Sequence, residues 1–202
     1  MRVSARIRCS DFPCADVNRA GYFIPAMNLD AHAVKIIMVS EASPAHPRDH
    51  FYARGDPLFA RTTLQAFADA GVTMTCMRDL VELGIYVTTA VKCGKVGYAV
   101  SRDTIAACST LLEKELALFP NARVLLLMGD VAIAALNQIS RRQGEGRVTP
   151  AGSTYKIRGG AFSYHNVRVL PSYLQAGPSF FIEKSKRKMI AEDIRCALRL
   201  AR

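Results

Sequence analysis

The stretch from Tyr86 to Gly129 constrains the fold more than any other part of the chain. Tyr86-Val-Thr-Thr-Ala-Val-Lys-Cys93 is apolar and β-branched, the pattern of a buried strand. Gly94 and Gly97 mark a loop, and Ser101 has the form of a helix N-cap with Asp103 in the first turn. The predicted helix carries Cys108 and runs to Phe119, where Pro120 stops it. Arg123-Val-Leu-Leu-Leu-Met-Gly129 is a second buried strand. Strand, loop, helix and strand in this order require two parallel neighbours joined by a right-handed crossover.

The flanking segments extend that unit. Val34-Lys-Ile-Ile-Met-Val39 predicts a strand running into Ser40-Glu41-Ala42-Ser43-Pro44, which puts a carboxylate just past its carboxyl end. In open α/β sheets that edge is where ligands bind. Residues 44–58 read as loop, Phe59–Ala70 as an amphipathic helix closed by Gly71, and 77–83 as one more helical turn. Beyond Gly129, Asp130–Arg141 predicts a small-residue helix, and Gln143–Gly152 a basic, glycine-rich loop. Thr154–Arg158 and Ala161–Tyr164 suggest a hairpin over Gly159-Gly160. Val167–Leu170 is a short last strand ending in Pro171-Ser172-Tyr173, and Pro178–Ala201 the final helix. Residues 1–33 lack periodicity and read as an irregular arm. The expected whole is one domain over 1–202, a three-layer α/β/α sandwich around a mainly parallel sheet of about four strands.

Charge bears on function. A net charge of +10 over 202 residues favours a polyanionic partner, nucleic acid first among them. No apolar run approaches the ~20 residues that span a bilayer, and Met1–Cys9 is too short and charged for a secretory signal. A cytoplasmic monomer with no membrane partner is expected, and its six cysteines are then metal ligands or free thiols rather than disulfides.

Several clusters can carry chemistry. Cys9, Cys14, Cys93 and Cys108 can supply the four sulfurs that an iron–sulfur cluster or a zinc ion requires, or can be small buried hydrophobes. Glu41 can orient water or stabilise a cation, or simply cap a loop. The turn Leu170–Gln175, with Tyr173 or Leu174 as its tip, can penetrate DNA or merely connect strand to helix. Lys184, Lys186, Arg187 and Lys188 can meet phosphate or form a solvated face.

The order of these motifs resembles the uracil-DNA glycosylase superfamily, and most the branch with a four-cysteine iron–sulfur cluster. Val39-Ser-Glu-Ala-Ser-Pro44 resembles the family's V-G-E-A-P-G water-activating loop, and Tyr86–Cys93 its Y-I-T-N-x-V-K-C strand. Leu126-Leu-Met-Gly129 with Val131–Leu136 resembles L-x-L-G-x-x-A-x-x-A-L, and Leu170-Pro-Ser172 stands in the place of H-P-S. The resemblance implies base excision from damaged duplex or single-stranded DNA, with a deaminated base such as uracil flipped out of the stack. It assigns Glu41 as the catalytic residue and Ala42, Phe59 (or Leu58), Thr89 and Ser172 to the base pocket. Lys92, Tyr173, Leu174, Gln175 and the 184–188 cluster would contact DNA, and Cys9, Cys14, Cys93 and Cys108 would hold a [4Fe–4S] cluster, or zinc. The chain departs from the family at four points. Leu170 replaces the loop histidine, Thr89 the base-reading asparagine and Ser40 the glycine before the carboxylate, and the first cysteine pair is C-x4-C. The alternative is a nucleic-acid-binding protein on the same fold with impaired catalysis. A third is an α/β enzyme acting on a nucleotide-sized phosphate ester.

Overall fold

A computed structural model describes residues 1–202. The strands are β1 (Val17–Asn18), β2 (Ile36–Ser43), β3 (Ile85–Lys95), β4 (Val124–Met128), β5 (Phe162–Tyr164) and β6 (Val167–Ser172). They form one sheet in the order β1-β3-β2-β4-β6-β5. The four apolar runs make its parallel centre, and β1 and β5 add short antiparallel edges. The sheet therefore has the expected four-strand parallel core inside a six-stranded whole.

Side chains alternate across β2, so Ile37 and Val39 face one layer and Ile36 and Met38 the other. The first layer holds α3 (Arg102–Leu116), α4 (Asp130–Arg142) and the N-terminal arm, whose Val3, Ile7, Ile24 and Leu29 enter the core. The second holds α1 (Leu58–Asp69), α2 (Met77–Glu82) and α7 (Lys184–Leu200). Ser101 caps α3 as expected, accepting from the Thr104 amide at 3.1 Å. No helix is long and apolar enough to cross a membrane.

Four expectations need correction. The arm is not merely irregular: β1 pairs Val17 and Asn18 with Lys95 and Gly94. The first strand runs through Glu41 to Ser43, so Glu41 lies within the strand rather than past it. Thr154–Ile157 is a helical turn, α5, and the hairpin joins β5 to β6 through His165, whose φ of 50° supplies the left-handed turn. The final helix breaks at Glu183 into α6 (Ser179–Ile182) and α7.

Two polar devices fix β3. Lys92 and Glu115 form a fully buried ion pair beneath it. Tyr86 and Thr88 donate to Glu115 Oε1 at 2.6 and 2.9 Å, and Thr88 Oγ1 accepts from Lys92 at 2.8 Å. On its outer edge, the Tyr52 hydroxyl donates to the Val87 carbonyl at 3.0 Å and accepts from the Val87 amide at 3.2 Å.

Candidate active site and cysteine cavity

β2 lies between β3 and β4, and the chain leaves it toward α1 on one face while β3 leads to α3 on the other. This is the topological switch point of the sheet, where a crevice opens at the strands' carboxyl ends. β2 pairs with β4 only as far as Val39 opposite Leu127, and β4 ends at Met128, so residues 41–43 overrun it.

Glu41 occupies that crevice. Its carboxylate lies on Gly129, the N-cap of α4. A Cβ at Gly129 would stand 2.6 Å from Glu41 Oε1, and the glycine's φ is +103°. The position therefore demands glycine twice, for the backbone and for the carboxylate. Lys95 Nζ is 3.5 Å from Glu41 Oε2. The open cleft, of about 320 Å³, is lined by Glu41, Asp130, Thr154, Tyr173, Glu183 and Lys186 among others. Asp130 accepts from the Thr154 hydroxyl at 3.0 Å. Lys186 pairs with Glu183 and stands 5.4 Å from the Tyr173 ring centroid. Leu174 also lines the cleft, and both tip residues of the turn are half-buried rather than projecting.

Other expected site residues lie elsewhere. Lys92 is buried under β3 in its ion pair, so it faces no DNA. Ser172 is buried and donates to Asp193 at 2.6 Å, which commits its hydroxyl inside the protein. Gln175 is likewise buried, against Thr63 of α1. Ala42 and Thr89 are enclosed, with Thr89 Oγ1 3.5 Å from Ser43 Oγ. Phe59 packs on Phe51, ring centroids 5.2 Å apart, outside the Glu41 cleft. Leu170 is in the second core. Arg187 is held by Asp69 at 2.7 Å, whereas Lys184 and Lys188 are exposed. The residues that sequence reasoning missed are Lys95, Asp130, Thr154 and Glu183. Only Asp130 had a signal, as the first residue of a helix following a core strand.

The four cysteines do come together. Cys9 and Cys14 of the arm, Cys93 of β3 and Cys108 of α3 line one cavity of about 220 Å³, with Arg8, Arg19, Tyr22 and Lys92 also in its wall. Burial pushes the Cys93 thiol up to about 11, and the neighbouring thiols of Cys108, Cys14 and Cys9 add to it. Burial also raises Cys108, against a lowering by the Lys92 charge. The Tyr22 hydroxyl accepts from the Cys9 amide at 2.9 Å and joins two segments of the arm beside the cavity. No three His, Cys, Asp or Glu side chains converge closely enough to hold a single metal ion.

Residues 28–194 match the family model for the uracil DNA glycosylase superfamily. The chain belongs to that superfamily. The type-5 uracil-DNA glycosylase of Thermus thermophilus is 28% identical over 123 residues, which are 61% of this chain and 53% of that protein. The match thus spans about half of that relative's length. The wild-type UNG crystal structure from Nitratifractor salsuginis aligns over 91% of this chain and 83% of its own, at 16% identity and a TM-score of 0.42. The crevice carboxylate, Glu41, lies within the residues that match the superfamily.

Proposed function

We propose that the protein is a DNA glycosylase that hydrolyses the N-glycosidic bond of a flipped, deaminated base such as uracil. The observation that carries this reading is Glu41, held on Gly129 at the switch point with its carboxylate toward an open cleft. A carboxylate there accepts a proton from the attacking water and opposes the positive charge that develops on the sugar as the bond breaks. Lys95 holds it in place from β3. Leu170 is apolar and packed in the core, so the leaving base receives no stabilising charge from that position. A base that departs readily as an anion suits such a site best.

The four cysteines would hold a [4Fe–4S] cluster. An all-thiol set suits iron–sulfur ligation. Four thiolates also suit a tetrahedral zinc ion, which is the alternative occupant. Binding there releases thiol protons and ties the arm to β3 and α3, a structural role. Iron content and visible absorbance of anaerobically purified protein, both lost in Cys93→Ala, would support this; colourless, iron-free wild type would refute it.

The deciding experiment is single-turnover cleavage of duplexes and single strands carrying uracil, hypoxanthine or xanthine. Excision should fall at least about 100-fold in Glu41→Gln. A second reading, a binding protein with lost catalysis, is favoured by the core position of Leu170 and the enclosure of Thr89 by Ser43. It predicts no excision from any substrate, with salt-sensitive DNA binding intact.

A further inference from the structure

A second groove continues the Glu41 cleft. It has a volume of about 400 Å³, and three arginines from three separate elements line it: Arg102 at the start of α3, Arg141 near the end of α4, and Arg147 in the loop after α4. Asp130 lines both cavities, and Gly152 of the groove adjoins Ser153 of the cleft, so one surface leads into the other. All three arginines are exposed, and none of the protein's ion pairs includes them. In this they differ from Arg158, Arg187 and Arg142, whose guanidinium groups are bound to carboxylates. The groove's one carboxylate, Asp130, sits at the end nearest Glu41 and already accepts from Thr154.

We propose that this groove holds the backbone phosphates of the strand that runs out of the Glu41 cleft. The inference rests on the reading of that cleft as the base site. From Asp130 to Arg141 the helix rises about 16 Å. A groove of that length accommodates a short run of backbone phosphates rather than a single one. Planar guanidinium groups bind phosphate oxygens in pairs, and three of them without internal partners lose no existing contact on binding. Asn137 and Gln138 on the same wall offer amide donors to the same oxygens. The base site is left to Glu41.

The test is the salt dependence of DNA binding by the full chain. Fluorescence anisotropy with an undamaged duplex and with one carrying a substrate base gives log K against log salt. Replacing all three arginines (Arg102→Gln, Arg141→Gln, Arg147→Gln) should lower the slope by about 2.7 on duplex and about 2 on a single strand. Affinity at 0.1 M salt should fall by roughly a hundredfold, with the single-turnover excision rate at saturating enzyme unchanged. Arg→Lys at the same three positions should restore most of the slope, which separates charge from damage to the fold. An unchanged slope in the glutamine variant beside a normal wild-type slope would overturn the groove and leave the glycosylase reading standing. Wild type with no salt-dependent DNA binding would overturn both. Competition by millimolar mononucleotide as strong as that by an oligonucleotide would assign the groove to a free phosphate ester and refute the strand.

Discussion

His50 makes the protein acid-sensitive above the pH range in which carboxylates titrate. The imidazole is buried, its ring centroid 3.7 Å from that of Phe23, and its Nδ1 has no hydrogen-bond partner. Burial, helped by the Lys92 charge, pushes it down to about 3. The unfolded chain takes up the proton near 6.5, whereas the folded chain refuses it until about 3. Stability is therefore full above pH 7, falls as the pH drops through 6.5, and levels off near 3. Between pH 7 and pH 5 the loss from this one group is about 2 kcal/mol, the unfolded state's protonation free energy over that interval. Urea unfolding followed by far-ultraviolet circular dichroism measures it, since the chain has no tryptophan. Wild type should lose about 2 kcal/mol more than His50→Leu between these two pH values, whatever the variant's stability at pH 7. Superimposable pH profiles would mean that the folded imidazole takes up its proton as readily as the unfolded one, and would refute the reasoning.

Other perturbations have equally definite outcomes. Lys92→Met leaves Glu115 charged and buried without its cation and should cost about 3–5 kcal/mol by urea denaturation. Adding Glu115→Gln, which preserves an acceptor for Tyr86, should recover more than half; no recovery would mean that the loss is one of packing. Gly129→Ala should lower excision at least about tenfold by displacing the Glu41 carboxylate. Gly97→Ala is the control: its φ is +72° and a Cβ there meets nothing within 4 Å, so it should cost stability with no effect on excision. Equal activity in the two variants would remove Gly129 from the positioning of Glu41.

The parallel centre of the sheet was legible because β2, β3 and β4 are runs of apolar, β-branched residues bounded by loop signals. Glu41 was legible for the same reason, as a charge at the end of such a run. The hairpin was not. Gly159-Gly160 has the composition of a two-residue turn, while the real turn uses His165 at positive φ, where no glycine marks it in the sequence. Four residues of helix at Thr154–Ile157 are too few to show a period, so the cleft wall they supply stayed hidden. The ion pair of Lys92, which the resemblance assigned to DNA, was not legible because its partner, Glu115, lies 23 residues away on α3 and no local pattern marks the pair. Arg102, Arg141 and Arg147 met the same obstacle: only the packing of α3 beside α4 brings them to one groove.

The Tyr52 hydroxyl on Val87 has a consequence for how copies of this chain behave toward each other. β1 covers β3 only at Gly94 and Lys95, so most of that strand's outer margin has no strand beside it. Bare amides and carbonyls along an apolar strand invite a second molecule to extend the sheet, the usual beginning of aggregation. A phenol from the preceding loop fills the donor and acceptor at Val87, and the Phe23 amide takes the Lys92 carbonyl at 2.8 Å. The margin is thus stoppered at two points by residues outside any strand, and a growing stack of molecules would have to dislodge both before its first rung could form.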